Sequence, residues 1–247
     1  METISLIIAS VLIIIPIFIS HKEKLGLEKE IIVSMIRAVV QLVIVGYILE
    51  FIFGQQSPIF TIVLVFIMII NAALNTKKRG EGIKNCELIS LLSIIAGTTI
   101  TLSVLVISKA INFVPNEIIP VGGMIISNSM VAIGLAYRNL NTSFKNRRSE
   151  VEVKLSLGSD IKDASKGIIR ESIKMAIIPT IDSAKTLGIV SLPGMMTGLI
   201  LGGASPLIAI KFQIMVTFMI LSSVSISVIM ATYMAYKDFF NDRKQLK

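Results

Sequence analysis

Asp182 and Lys185 stand three residues apart in a stretch broken by Pro179, Gly188, Pro193, Gly194, Gly198, Gly202 and Gly203. On a helix that spacing puts carboxylate and ammonium on one face, close enough to neutralise each other. Upstream, Met124, Ser127, Asn128 and Val131 obey the i, i+3, i+4, i+7 rule and share one helical face beside Gly122 and Gly123. Methionines gather late in the chain (Met195, Met196, Met215, Met219, Met230, Met234). Thioethers bind soft metals such as Cu(I), and equally serve as adaptable packing, so the metal ligands stay unknown. His21 is the only histidine and Cys86 the only cysteine, and no Ser/His, paired-Asp or HExxH arrangement is present. No residue qualifies as catalytic.

The elements that must position these groups are seven long apolar stretches, roughly 4–20, 31–53, 58–74, 88–108, 118–137, 176–203 and 207–236. About 20 helical residues cross a bilayer's hydrocarbon core, so most are long enough. A mean hydropathy of +0.81 with 53% apolar and 16% charged residues excludes an ordinary soluble domain. Lys and Arg fill alternate gaps. Lys22, Lys24 and Lys29 occupy the first, and Lys77, Lys78, Arg79 and Lys84 the third. The fifth, 139–175, holds Lys145, Arg147, Arg148, Lys154, Lys162, Lys166, Arg170 and Lys174, and the tail holds Lys237, Arg243, Lys244 and Lys247. Cationic loops stay on the cytoplasmic side, which predicts an external N-terminus, seven crossings and a cytoplasmic C-terminus. The net charge of +8 thus reflects topology and anionic lipid, not nucleic-acid binding. The first stretch lacks a basic leader and a small-residue cleavage site, so it is expected to be retained. The gap 20–30 is expected to continue helically into Ile31.

Polar groups at membrane depth are costly unless they face partners or water. A substrate path and a tight dimer interface explain the Met124–Asn128 face equally well. In the broken sixth stretch, prolines and glycines suit a discontinuous helix lining a transport site. If 176–185 instead stays at the cytoplasmic interface, the Asp182–Lys185 pair is merely wet. In the segment 139–175, Gly158 suits a helix stop and Asp160 a helix cap, with Asp163 completing an approximate capping box. Two short helices meeting at a glycine make a docking knob or a generic juxtamembrane pair. No Walker A loop is present, so the energy must come from a gradient or another polypeptide.

From Gly158 onward the pattern becomes specific. The string IPTIDSAKTLGIVSLPGMM (178–196), with SHKEKLGLEKEI (20–31), RAVVQLVIVGYIL (37–49), NAALNTKKR (71–79), IPVGGMIISNSMVAIGL (119–135) and AIKFQIMVTFMILSS (209–223), closely resembles the FetB-type permease family. That family includes the membrane half of the bacterial FetAB iron exporter and plant proteins linked to aluminium tolerance. The resemblance implies an all-α permease, one transmembrane domain over 1–247, that pairs as a homodimer with a separate cytoplasmic ABC-type ATPase. ATP and Mg would sit on that partner, with no cofactor in this chain. Many such permeases present a short helix whose Glu precedes a Gly by six residues. Glu152 and Gly158 have that spacing, although Arg170-Glu171 stand where importers carry Leu-Pro. On this reading Glu152, Gly158, Asp160, Lys162, Asp163 and Lys166 meet the ATPase, Asp182 and Lys185 form a gating pair, and Met124, Asn128, Met195 and Met196 line the path. A metal cargo, iron first, and a bacterial cytoplasmic membrane are the corresponding expectations. The rivals are a gradient-driven carrier or channel, a permease for a non-metal cargo, and a non-transporting membrane component.

Overall fold

The computed structural model describes residues 8–55 and 57–247. Among them the regular structure is helical throughout, and the chain divides into two compact units, Met1–Gln56 and Ser57–Lys247. The start of the first apolar stretch lies outside the described residues. The first unit contributes α1, an apolar helix described over Ile8–Lys22, and α2 (Glu28–Gln55), a full membrane length. The gap between them does not continue helically as expected. Lys24 adopts a left-handed conformation (φ 52°), and the amides of Lys24 and Leu25 cap the carbonyls of His21 and Ser20. This is a Schellman end built on a lysine. The buried Ser20 hydroxyl then accepts the Leu27 amide (3.1 Å) and fixes the turn into α2.

The second unit holds α3 (Pro58–Thr76), α4 (Cys86–Ile107), α5 (Pro115–Asn146), α6 (Arg148–Ser156), α7 (Ile161–Thr186), α8 (Gly194–Leu201) and α9 (Pro206–Ala235). Pro58, Pro115 and Pro206 open their helices, where the missing N–H would be unpaired anyway. Together with α2, the helices α3, α4, α5 and α9 are, among the described residues, the five long and apolar enough to span a bilayer. All are the elements anticipated from the apolar stretches. The sixth stretch takes a different form. α7 starts at the polar segment, runs 26 residues through Pro179 and stops at Thr186. A non-helical stretch, 187–193, leads into the eight-residue α8. The second of the two expected short helices is therefore long, because nothing between Ile161 and Thr186 but Pro179 interrupts the helical pattern.

At one end of this unit the loop at Lys77–Lys84, the end of α5, α6, the start of α7 and the segment after Tyr236 come together. Their core contains Cys86, Tyr137, Phe144, Val151, Ile168, Phe240 and Leu246. The opposite half is built on Leu105, Ile111, Ile118, Ile125, Val216 and Met219. Because α5 ends at the basic end and α9 begins at the other, the chain must traverse the unit between them. It does so as α7, the break, and α8.

The tightest helix contact joins α4 to α9. Gly97 faces Ser223 and Ser227, whose hydroxyl donates to the Ser93 carbonyl (3.0 Å). Small residues let helices approach in lipid, where no hydrophobic drive pulls them together. Near the basic end, Thr76, Ser90 and Tyr137 chain their buried hydroxyls across α3, α4 and α5 at 2.7 and 2.9 Å. Gly97→Ala places a methyl against the Ser227 hydroxyl and 2.9 Å from the Ser223 carbonyl. Overpacking of this kind costs about 1–3 kcal/mol. A clearly lowered thermal midpoint in detergent is the expected result, and an unchanged midpoint would mean the contact relaxes freely.

Candidate functional site

The break between α7 and α8 borders an open cavity of about 220 Å³ lined by α5, α7, α9 and the stretch after α7. Its apolar wall includes Val131, Ala132, Leu135 and Ile220, and its polar wall Asn128, Thr180, Ser183, Gln213 and Thr217. Pro179 on its lining removes one backbone donor, so the carbonyl four residues earlier loses its helical partner. Asn128 donates to the Met124 carbonyl of its own helix (2.8 Å), and the Thr217 hydroxyl to the Gln213 carbonyl (2.8 Å). The Gln213 side-chain oxygen is buried with no hydrogen-bond partner among the described residues. An orphaned buried acceptor normally costs about 1–3 kcal/mol. Its retention beside a cavity suits an oxygen that meets a ligand.

The sequence candidates distribute unevenly around this chamber. Asn128 lines it. Met124 and Met195 pack against the same cluster as Met215 and Met219, in the half of the unit away from the basic end. Met196 is half-buried on α8. Asp182 and Lys185 do form an ion pair (2.8 Å), but both are more than half exposed (57% and 68%) and outside the cavity lining. Ser183 and Ala184, between them, line the open cavity instead. Thr180, Ser183, Gln213 and Thr217 lie within the strings 178–196 and 209–223 but are not among the candidate site residues. Gln213 nevertheless carries a signal: a primary amide in the apolar run AIKFQIMVT is an expense that calls for a partner.

A second constellation lies at the basic end. α6 closes in a Schellman motif, with Gly158 at φ +88° and the amides of Gly158 and Ser159 capping Leu155 and Lys154. Gly158 is thus the helix stop that its position suggested, and the left-handed backbone there demands glycine. The capping box does not form. Asp160 holds the extended cap position, yet its carboxylate makes no side-chain cap. It pairs instead with Lys244 (3.2 Å). That ammonium, followed by the Ile161 amide, lowers the Asp160 pKa, so the bridge is charged at neutral pH. Glu152 pairs with Arg148 (2.8 Å). Arg147 and Lys154 grip Glu150 at 2.7 and 2.6 Å and pull its pKa down to about 2. Lys162, Asp163 and Lys166 are exposed on the first turns of α7. Beside them Val153 (58%) and Leu157 (81%) hold apolar side chains out of the polar end. Among the described residues no group of three or more His, Cys, Asp or Glu is placed to hold a metal.

Residues 3–240 match the model of UPF0014, an uncharacterised protein family. The chain belongs to this family. It is 50% identical to the probable iron export permease protein FetB of Escherichia coli K12, over 98% of this chain and 93% of that protein. It is 37% identical to the UPF0014 membrane protein STAR2 of Oryza sativa subsp. japonica, over 96% of this chain and 84% of that one. The Arabidopsis thaliana protein ALUMINUM SENSITIVE 3 shares 35% identity, over 97% and 88%. No solved structure matches. The UPF0014 chain described here is a multi-pass, all-α membrane permease.

Gln213→Leu separates a ligand role from a structural one. It removes the orphaned oxygen while keeping most of the volume, so thermal stability is expected to hold or to rise by up to about 1 kcal/mol. Transport is expected to fall at unchanged membrane abundance. A drop in stability instead would show that Gln213 is part of the packing.

Proposed function

We propose that this UPF0014 chain is the membrane-spanning subunit of an ABC-type exporter, with iron the favoured cargo and a separate cytoplasmic ATPase as the motor. The observation that carries the reading is the break between α7 and α8 beside a largely apolar cavity with a few polar groups, in a chain half identical to a protein named as an iron export permease. Discontinuous helices supply backbone groups for a passing substrate while sheltering them from lipid. The motor is supported by the projecting α6–α7 turn. Val153 and Leu157 face water there, an exposure that association with a partner would relieve. The turn offers Glu152, Gly158, Asp160, Lys162, Asp163 and Lys166 around that apolar tip.

An ABC-type transporter needs two membrane units, so the chain acts as a homodimer on this reading. The exposed Asp182–Lys185 pair then has a natural place at the boundary between copies or at the mouth of the path. ATP and Mg would sit wholly on the motor subunit. The orientation is set by the basic end, which lies in the cytoplasm and puts the loop at 108–114 outside. A gradient-driven carrier is the second reading. The cavity favours it as much as the first, but the exposed apolar tip does not.

Inverted membrane vesicles carrying the chain and its ATPase should accumulate iron on adding ATP, and vesicles with the ATPase alone should not. Leu157→Asp puts a charge into the motor contact and should reduce ATPase capture and ATP-driven accumulation together, with insertion unchanged. Accumulation driven by an ion gradient without ATP would establish the carrier reading. Replacing Met195 and Met196 with Leu conserves volume and apolarity. A large loss of transport would then assign the sulfurs to the path, and normal transport would assign them to packing.

A further inference from the structure

The segment after α9 is not a free tail. Phe239 stacks on Phe144 (4.3 Å), and Phe240 meets the same ring edge-on (5.8 Å). Phe240 and Leu246 are both buried in the core beneath α6 and α7. Between them the chain turns back, pinned by the Asn241 side chain, which accepts the amides of Arg243 and Gln245 at 3.0 and 2.8 Å. Two contacts then tie this loop to the projecting turn. Arg148, already paired with Glu152, donates to the carbonyls of Lys247 (3.0 Å) and Leu246 (3.4 Å). Lys244 reaches Asp160, 84 residues away in sequence.

Loop and turn enclose a basin of about 810 Å³ whose rim includes Glu152, Gly158, Asp160, Arg243 and Lys244. Glu152 and Asp160 are both neutralised by the pairs just described. Arg243, Lys162 and Lys166 form no ion pair among the described residues, and neither do the acidic Asp163 and Asp242. Three cations against two anions leave the loop and the first turns of α7 with a small positive surplus, next to the α6 end that exposes Leu157 and Val153.

We infer that the loop 240–246 is the second wall of the motor-docking surface. It fixes the pitch of the α6–α7 turn through the Lys244–Asp160 bridge, and it offers Arg243 to an acidic face of the ATPase that also covers Leu157. This rests on the ABC-type reading above and adds to it a partner chemistry and a positioning element. The bridge is exposed on both sides (68% and 60%), and such pairs contribute little to stability. Its role is geometric: without it the loop reaches the turn only through Arg148 and the carbonyls of Leu246 and Lys247, and a looser turn absorbs the motor's movement.

The test is charge reversal and then a swap, because deleting the loop would remove the buried Phe240 and Leu246. The chain is co-expressed with its ABC-type ATPase, and captured ATPase and ATP-driven iron accumulation are both measured. Lys244→Asp and Arg243→Glu are each expected to lower ATPase capture about three- to tenfold at unchanged abundance, the scale at which interfacial charges act. Asp160→Lys combined with Lys244→Asp restores the bridge and should bring coupling back to within about twofold of wild type. Wild-type capture by both single variants overturns the inference, as does a swap that rescues nothing. Leu157→Asp serves as the control on the parent reading. If it alone loses the motor, docking stands and the second wall falls. If even the wild-type chain captures no ATPase, the ABC-type reading fails and this inference with it.

Discussion

No water reaches the middle of a bilayer, so every backbone break there has to be sheltered by protein or by a cavity. Four helices of the unit Ser57–Lys247 are long and apolar enough to cross and are continuous, α3, α4, α5 and α9. The α7–α8 segment is not continuous. Between Pro179 and Gly194 it loses one backbone donor to proline and a run of helical hydrogen bonds to the stretch 187–193. The remaining helices arrange themselves around that interruption. α5 and α9 flank it with Asn128, Gln213 and Thr217, and α9 is in turn anchored to α4 through the Gly97–Ser227 approach. Small-residue and hydroxyl contacts thus hold the helices around one interrupted element, whose freed backbone groups adjoin the cavity.

Much of this is legible in the residues. Apolar length and the alternation of Lys and Arg anticipate the helices and the gathering of basic loops, because bilayer thickness and charge placement are strong constraints that act on short windows. Gly158 is legible as a helix stop because a left-handed residue needs no long-range context. Asn128 reaches the cavity because helical periodicity puts it on one face with Met124. What the residues leave illegible shares a common reason. Asp160 looks like a cap, but Lys244 competes for its carboxylate from the far end of the chain, and no local rule sees that. Asp182 and Lys185 pair as their spacing suggests, yet spacing says nothing about which face of α7 turns inward. Gln213 escapes a motif search because a single amide in an apolar run carries no periodic signal, only a cost.

α7 joins the two functional regions physically. At 1.5 Å per residue its 26 residues span about 39 Å, from Asp160 at the α6–α7 turn to Thr186 beside the cavity. Its first half is fastened on one side, where Ala164, Ile168, Ile169, Ser172 and Ala176 are buried. Beyond Pro179 the exposure rises, and the helix is bounded by the cavity instead of by packed side chains. A rod gripped along one half and free along the other, with a missing hydrogen bond where the two meet, moves as a lever about that joint. Displacement of the turn by a motor would then arrive at Thr180, Ser183 and the 187–193 stretch, which face Asn128 and Gln213. Coupling needs no relay of side chains through the core on this geometry. It needs only that the turn be stiff, which the Schellman end at Gly158 and the Lys244–Asp160 bridge provide, and that the far end be loose, which Pro179 and the break provide.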